Sequence, residues 1–373
     1  MNIIFAKTKG VTLVELIVAL ALSSFLAIGV IQIYLDSRQT DDMGGALARI
    51  QETGRVALDI MTEDIRGLGY VGCLDPKTLP EEGVLQVVAN NSPLEDITAE
   101  GLRGFEVEAG WADDTEFNDT DIETDAISDS DVIAIQRMTR KRVSVVKSNA
   151  PAPAPGAVVL ESDELDIVEN DLVLVSNCTG GHLFRVSNVV ASGSNTLLEH
   201  SDSVNNMVDA FPNYSGGDEA NVAVAMKFMS VAYFVADTGR KNPAGDAVFA
   251  LYRQRDKLVN AAVPSFDIEE ILEGVETLQI LYGERLSDDS VRFVRGNDAD
   301  LDMRNVESVR IGVLVSSTRN VQQANDMQSY LLPGGKVSPA PSDGLSHPAD
   351  KRIRRAFSTT VYLRNRPNRP DSV

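Results

Sequence analysis

Residues 9–35 read KGVTLVELIVALALSSFLAIGVIQIYL, and between Val11 and Leu35 the only charge is Glu15. At about 1.5 Å per residue the run from 11 to 35 makes a helix of roughly 37 Å, longer than the ~30 Å hydrocarbon core of a bilayer. Lys7 and Lys9 precede it, and no further basic residue occurs before Arg38. That asymmetry favours an N-terminus inside the cytoplasm and everything after Asp36 outside it.

The rest of the chain bounds what that helix carries. The 373 residues include 34 Lys plus Arg against 55 Asp plus Glu, a net charge of −21, with 43% apolar residues. Such a chain buries a sizeable core, and its field disfavours polyanions, so duplex nucleic acid is not expected as a general partner unless a local basic patch reverses the sign. Three His and two Cys leave no room for a Cys-rich zinc module. No Gly-x-Ser-x-Gly, His-Glu-x-x-His or Gly-x-x-x-x-Gly-Lys motif occurs, and His182, His200 and His347 read as isolated surface residues. Neither an enzyme nor a cofactor is expected.

Glu15 separates three readings of the N-terminus. A cleaved secretory signal has a loose small-x-small site at Ala27-Ile28-Gly29, but the apolar run continues through Leu35. A plain signal anchor leaves Glu15 unexplained. The residues Lys9-Gly10-Val11-Thr12-Leu13-Val14-Glu15-Leu16 resemble the class III prepilin signal of type IV pilins and type II secretion pseudopilins. The resemblance implies cleavage by a prepilin peptidase between Gly10 and Val11, N-methylation of Val11, and an assembly role for Glu15. Val11 stands where the family usually has Phe. A carboxylate in a membrane helix costs several kcal/mol unless paired, and the α-amino group of a neighbouring subunit's Val11 is the natural partner.

Further along, Leu47, Ile50, Gly54, Ala57, Met61, Ile65 and Leu68 recur at steps of three and four, an amphipathic helix assigned to residues 36–72. If it continues the membrane span as one rod, Gly29 and the pair Gly44-Gly45 are the expected weak points of that rod. The stretch Arg49 to Cys73, ending Gly69-Tyr70-Val71-Gly72-Cys73, is similar to the PilW family of minor pilins. So are Ser130 to Ile133, Leu172 to Cys178, Ala250 to Arg253, Leu281 to Gly283 and Arg354 to Arg366. This resemblance implies an α+β, pilin-like fold, a long N-terminal helix packed on a β-rich antiparallel head. It also implies a minor pilin that primes or assists pilus assembly, serving twitching, adhesion or DNA uptake indirectly. The alternatives are a J-type pseudopilin of type II secretion and a pilus-tip adhesin. Expected partners are the major and other minor pilins, prepilin peptidase, inner-membrane lipid and the assembly machinery. The chain is expected in the inner membrane first and in the pilus afterwards.

The segmentation that follows is a leader at 1–10, a membrane and filament-core helix at 11–35, and a first part of the head at 73–150. A Pro-rich linker at 151–156 divides that part from a main head at 157–366, with a tail at 367–373. Runs such as DVIAIQRM and SVRIGVLVSST read as strands, and Ser265 to Leu272 reads as a short helical piece. A non-cytoplasmic location permits a disulfide between Cys73 and Cys178, the alternative being two buried free thiols. Glu106 to Asp131 carries eleven acidic and no basic residues. It lacks the EF-hand pattern and reads as a solvated loop rather than a calcium site, as do Asp298, Asp300 and Asp302. Residues 351–373 are basic, with Lys351, Arg352, Arg354, Arg355, Arg364, Arg366 and Arg369 against Asp371. Internal pairing with the chain's own carboxylates is the expected use of these cations; an acidic face on another pilin, or DNA, is the alternative.

Overall fold

The computed structural model describes residues 12–74, 84–89, 101–107, 126–149, 156–201, 205, 214, 222–256, 266–339 and 345–365. Its first element, α1, is one uninterrupted helix over Leu13–Arg66. At the standard rise its 54 residues span roughly 80 Å. Gly29, Gly44 and Gly45 do not break it, since about 1 kcal/mol per interior glycine is small against so many consecutive helical bonds.

The helix ends at Gly67, short of the expected 72. The chain then needs φ of +69° at Gly69, where a Cβ would collide with the Asn365 carbonyl oxygen. Only glycine satisfies both demands. Among the described residues nothing covers the helix's first half: its large apolar side chains from Leu13 to Leu35 are half exposed or more. Contact with the head begins at Gln39, whose side-chain oxygen accepts from Gln323 Nε2 at 2.8 Å. From there the predicted stripe is buried at Ile50, Gly54, Ala57, Met61 and Ile65. At Gly54 the Phe357 ring occupies the space a Cβ would take, so the helix lies directly on the sheet beneath it.

The head is built of β1 (Leu85–Val87), β2 (Leu102–Phe105), β3 (Val132–Met138), β4 (Val143–Asn149), β5 (Gly156–Leu160), β6 (Leu172–Ser176), β7 (Gly181–Arg185), β8 (Asn188–Ser192) and β9 (Asn195–His200), followed by β10 (Val224–Lys241), β11 (Ala247–Asp256), β12 (Phe266–Glu273), β13 (Val275–Arg285), β14 (Val291–Val294), β15 (Val306–Ser316), β16 (Tyr330–Leu332), β17 (Gly335–Val337) and β18 (Arg354–Tyr362). The 18-residue β10 is the spine. Its first residues pair with β4 and β6, its later ones with β3 and β11, so one strand joins two branches of a sheet that has twelve strands among the described residues. A separate antiparallel sheet runs β14-β13-β15-β18.

The main core lies where three layers meet. Ile50, Met61 and Ile65 of α1 pack with Ile133, Ile135 and Val231 of the large sheet and with Ile280, Val309 and Ile311 of the small one. Each such side chain contributes about 1.5–3 kcal/mol on full burial. A second core, around Val158, Val175 and Phe184, fills the branch formed by β4 to β9.

Two expectations are corrected here. Residues 265–272 are not helical, because β12 is an edge strand that pairs with β11 and places Glu269 beside Arg253 and Glu270 beside Arg240. Cross-strand ion pairs and a sheet ladder override the local helical spacing. The Pro-rich run does not separate lobes. Gly156 already belongs to β5, which pairs with β4, so the run joins two neighbours in one sheet; 151–155 lie outside the described residues.

Candidate functional site

Glu15 sits in the first turn of α1, where its surroundings begin with Thr12. The Thr12 hydroxyl accepts from Glu15 N at 3.3 Å, while Glu15 Oε2 accepts from Thr12 N and from the Thr12 hydroxyl, each at 2.9 Å. This is a reciprocal capping box, and the carboxylate also faces the positive end of the helix dipole. The signal was present in the sequence as Thr12-x-x-Glu15, ahead of an apolar run. Both bonds fall on Oε2, leaving Oε1 without a partner among the described residues. Gly10 and Val11 lie outside those residues.

Behind this turn stands a 54-residue helix whose most apolar stretch is wholly uncovered. At its other end the two cysteines are joined: Cys73 and Cys178 form a disulfide with Cα atoms 4.9 Å apart. The bond ties the turn after α1 to the turn between β6 and β7 across a sequence separation of 105. Closing a loop of that length adds about 4–5 kcal/mol in the chain-entropy model. A helix with one free apolar half, stapled at its far end to a β-rich head, is built to be held by its first half and to display the rest.

The comparisons with known proteins agree with that geometry at both ends of the chain. The model of the prokaryotic N-terminal methylation motif matches residues 5–31. The model of the family described as Type IV Pilus-assembly protein W matches residues 232–365. Over these residues the chain is PilW-like, with a pilin-type methylation motif at its N-terminus. The second match runs from the later part of β10 through β18, the portion of the head that includes the small sheet receiving α1. No curated protein and no solved structure matches. The pilin matches point to a structural, non-enzymatic subunit of a type IV pilus. The motif and the free apolar helix fit anchoring in the inner membrane followed by incorporation into a pilus.

Several charged residues of this pilin have roles that local sequence does not reveal. Asp64, on the buried face of α1, accepts from Arg137 Nη2 at 2.5 Å and from the Tyr233 hydroxyl at 2.6 Å. It is the polar rivet between the helix and the large sheet, and burial beside that carboxylate pushes the Tyr233 phenol up. Arg354, completely buried, is held by Glu276, Asp326 and Asp350, and Arg352 by Glu276 and Asp350. Internal pairing therefore consumes Arg352 and Arg354 of the basic C-terminal segment, whereas Lys351 and Arg355 are exposed. Arg366 and Arg369 lie outside the described residues.

The histidines are corrected as well. All three are buried, at 8%, 0% and 3% exposure for His182, His200 and His347. His182 Nδ1 shares a 2.7 Å hydrogen bond with the Tyr214 hydroxyl, and burial brings its pKa down to about 4. Partners so distant in the chain cannot be inferred from polar sequence neighbours. Among the described residues no cluster of His, Cys, Asp and Glu could hold a metal ion.

The acidic segment is likewise not solvated at its ends, although 108–125 lie outside the described residues. Glu106 and Asp131 are 7% and 4% exposed. Asp131 accepts from Ile280 N at 2.6 Å, and Glu106 from Gly296 N at 3.2 Å. Burial first, and the neighbouring Glu106 second, hold the Asp131 carboxyl well above its usual range. The folded state therefore keeps a proton that the unfolded chain releases near pH 3.8. This contribution to stability is complete below that pH and declines as pH rises towards the folded-state value. Urea unfolding at stepped pH should show Asp131→Asn gaining on wild type from pH 4 upward. Parallel curves for the two proteins would disprove the assignment.

Proposed function

We propose that this pilin is made as a prepilin, cut between Gly10 and Val11, N-methylated on Val11, and inserted as a low-abundance subunit that primes or assists pilus assembly. The observation that carries the reading is the N-terminal half of α1: apolar, free of the head, carrying Glu15 in its first turn, and covered as far as residue 31 by the methylation-motif match. Between subunits, Glu15 pairs with the α-amino group of a neighbour's Val11, and the two charges neutralise each other inside a sheath of packed apolar helices. An isolated polar pair in an apolar seam sets register, as a buried Asn does in a coiled coil. The partners are the major and other minor pilins, and before assembly the peptidase, the inner-membrane lipid and the assembly machinery. A head of roughly 300 residues obstructs regular packing along a shaft, which favours few copies placed near the tip.

The deciding experiment is the mass of the N-terminal peptide from membranes and from sheared pili. A peptide beginning at N-methylated Val11 is expected. Recovery of an intact Met1 start, or of a start after Gly29, would overturn the reading.

A further inference from the structure

Beyond the end of β18 the head holds a cavity of about 560 Å³, lined in part by Arg285, Arg304, Arg364, Glu307 and Tyr362. Arg285 is occupied by Glu307 and Asp289. Arg304 and Arg364 are exposed and have no ion-pair partner among the described residues, and Tyr362 is 67% exposed beside them. Two uncommitted guanidiniums on one rim are a local reversal of sign in a chain of net charge −21.

The position is as informative as the charge. Asn365 Nδ2 donates to the Leu68 carbonyl at 3.2 Å, so the cavity sits by the far end of α1. At the helical rise, Leu68 is roughly 50 Å along the axis from Leu35, the last residue of the apolar span. Lipid headgroups do not reach that far. A partner that meets this surface therefore lies well outside the lipid headgroups.

We propose that this cavity is the docking site for an acidic polypeptide segment on the pilin subunit that lies on the tip side of this one. The proposal rests on the reading of the chain as a filament subunit. Guanidinium groups take carboxylates in a bidentate fork, and Arg and Tyr are the residues that concentrate binding energy at protein interfaces. Nucleic acid fits less well. A long polyanion feels the repulsion of the whole acidic head, whereas a short acidic segment, within about one Debye length of the rim, feels mainly the local arginines.

The test uses the full chain in detergent, with a labelled short poly-L-glutamate peptide as probe and a single-stranded DNA oligonucleotide as comparison. The double variant Arg304→Glu/Arg364→Glu should bind the peptide at least ~10-fold more weakly than wild type, with unchanged thermal unfolding. A control of equal charge change at exposed sites elsewhere, Arg142→Glu/Lys147→Glu, should lose no more than about 2-fold. Equal losses in the two variants would mean that bulk charge alone was being read, and would overturn the proposal. So would oligonucleotide binding tighter than peptide binding through the same two arginines. Either failure leaves the N-terminal mass result untouched, so the filament reading and the docking site fall separately.

Discussion

Glu15→Val inserts into the membrane as wild type does, yet is recovered in sheared pili at no more than about a hundredth of the wild-type ratio to the membrane pool. The magnitude follows from what the substitution leaves behind. In the proposed filament each Val11 amine needs a counter-charge among apolar helices, and stranding one member of a buried pair costs about 3–5 kcal/mol, at least ~100-fold in an association constant. Insertion is spared because removing a charge only makes the span more apolar. The capping box supplies the discriminating control. Thr12 and Glu15 hold each other at 2.9 Å in the single chain, so Glu15 could act merely by starting the helix. If so, Thr12→Ala, which breaks the same cap at a cost of about 1 kcal/mol, should impair assembly as much as Glu15→Val. We expect Thr12→Ala to assemble within several-fold of wild type. Immunoblots of sheared-pilus and membrane fractions measure both, and equal defects in the two variants would sink the pairing role.

The second large effect is expected at Asp64. Asp64→Ala strands the Arg137 guanidinium, whose side chain is only 12% exposed, and leaves the wholly buried Tyr233 hydroxyl without its acceptor. Removing one partner of such a pair costs about 3–5 kcal/mol, a large share of a typical folding stability. Asp64→Asn keeps an acceptor for Tyr233 and should lose less. The effect should appear as loosening of α1 from the head: faster amide exchange between Ile50 and Arg66, with the branch around Val158 and Phe184 little changed. A loss below ~1 kcal/mol in urea unfolding of Asp64→Ala would show that the rivet is ornamental.

How much of this was readable in advance depends on the range of the forces involved. The membrane half of α1 was legible because lipid imposes a local rule: some twenty apolar residues in a row, with any charge requiring a reason. The stripe from Ile50 to Ile65 was legible because helical periodicity is also local. The named strand runs, those that became β3 and β15, showed themselves by β-branched residues. The misread stretch, Phe266 to Glu273, carries Ile268, Ile271 and Leu272 at helical spacing, and only its ladder with β11 and the arginines across it make it a strand. Thr12-x-x-Glu15 was present as a local signal but was obscured by the more prominent role assigned to Glu15.

By itself, then, the sequence determined that the chain has a membrane-length helix with one placed carboxylate, an amphipathic continuation, a β-rich acidic head and two cysteines available to pair. Tertiary structure alone decided which charges are spent inside the molecule and which remain for a partner. Asp64 meets Arg137 across 73 residues and Tyr233 across 169, and Arg354 meets Glu276 across 78. Arg354 and Arg364 look alike in the chain, yet one is buried among three carboxylates and the other stands on an open rim. The reason is that Coulomb and desolvation energies depend on distance and burial in the folded state, and neither is written in the order of the residues.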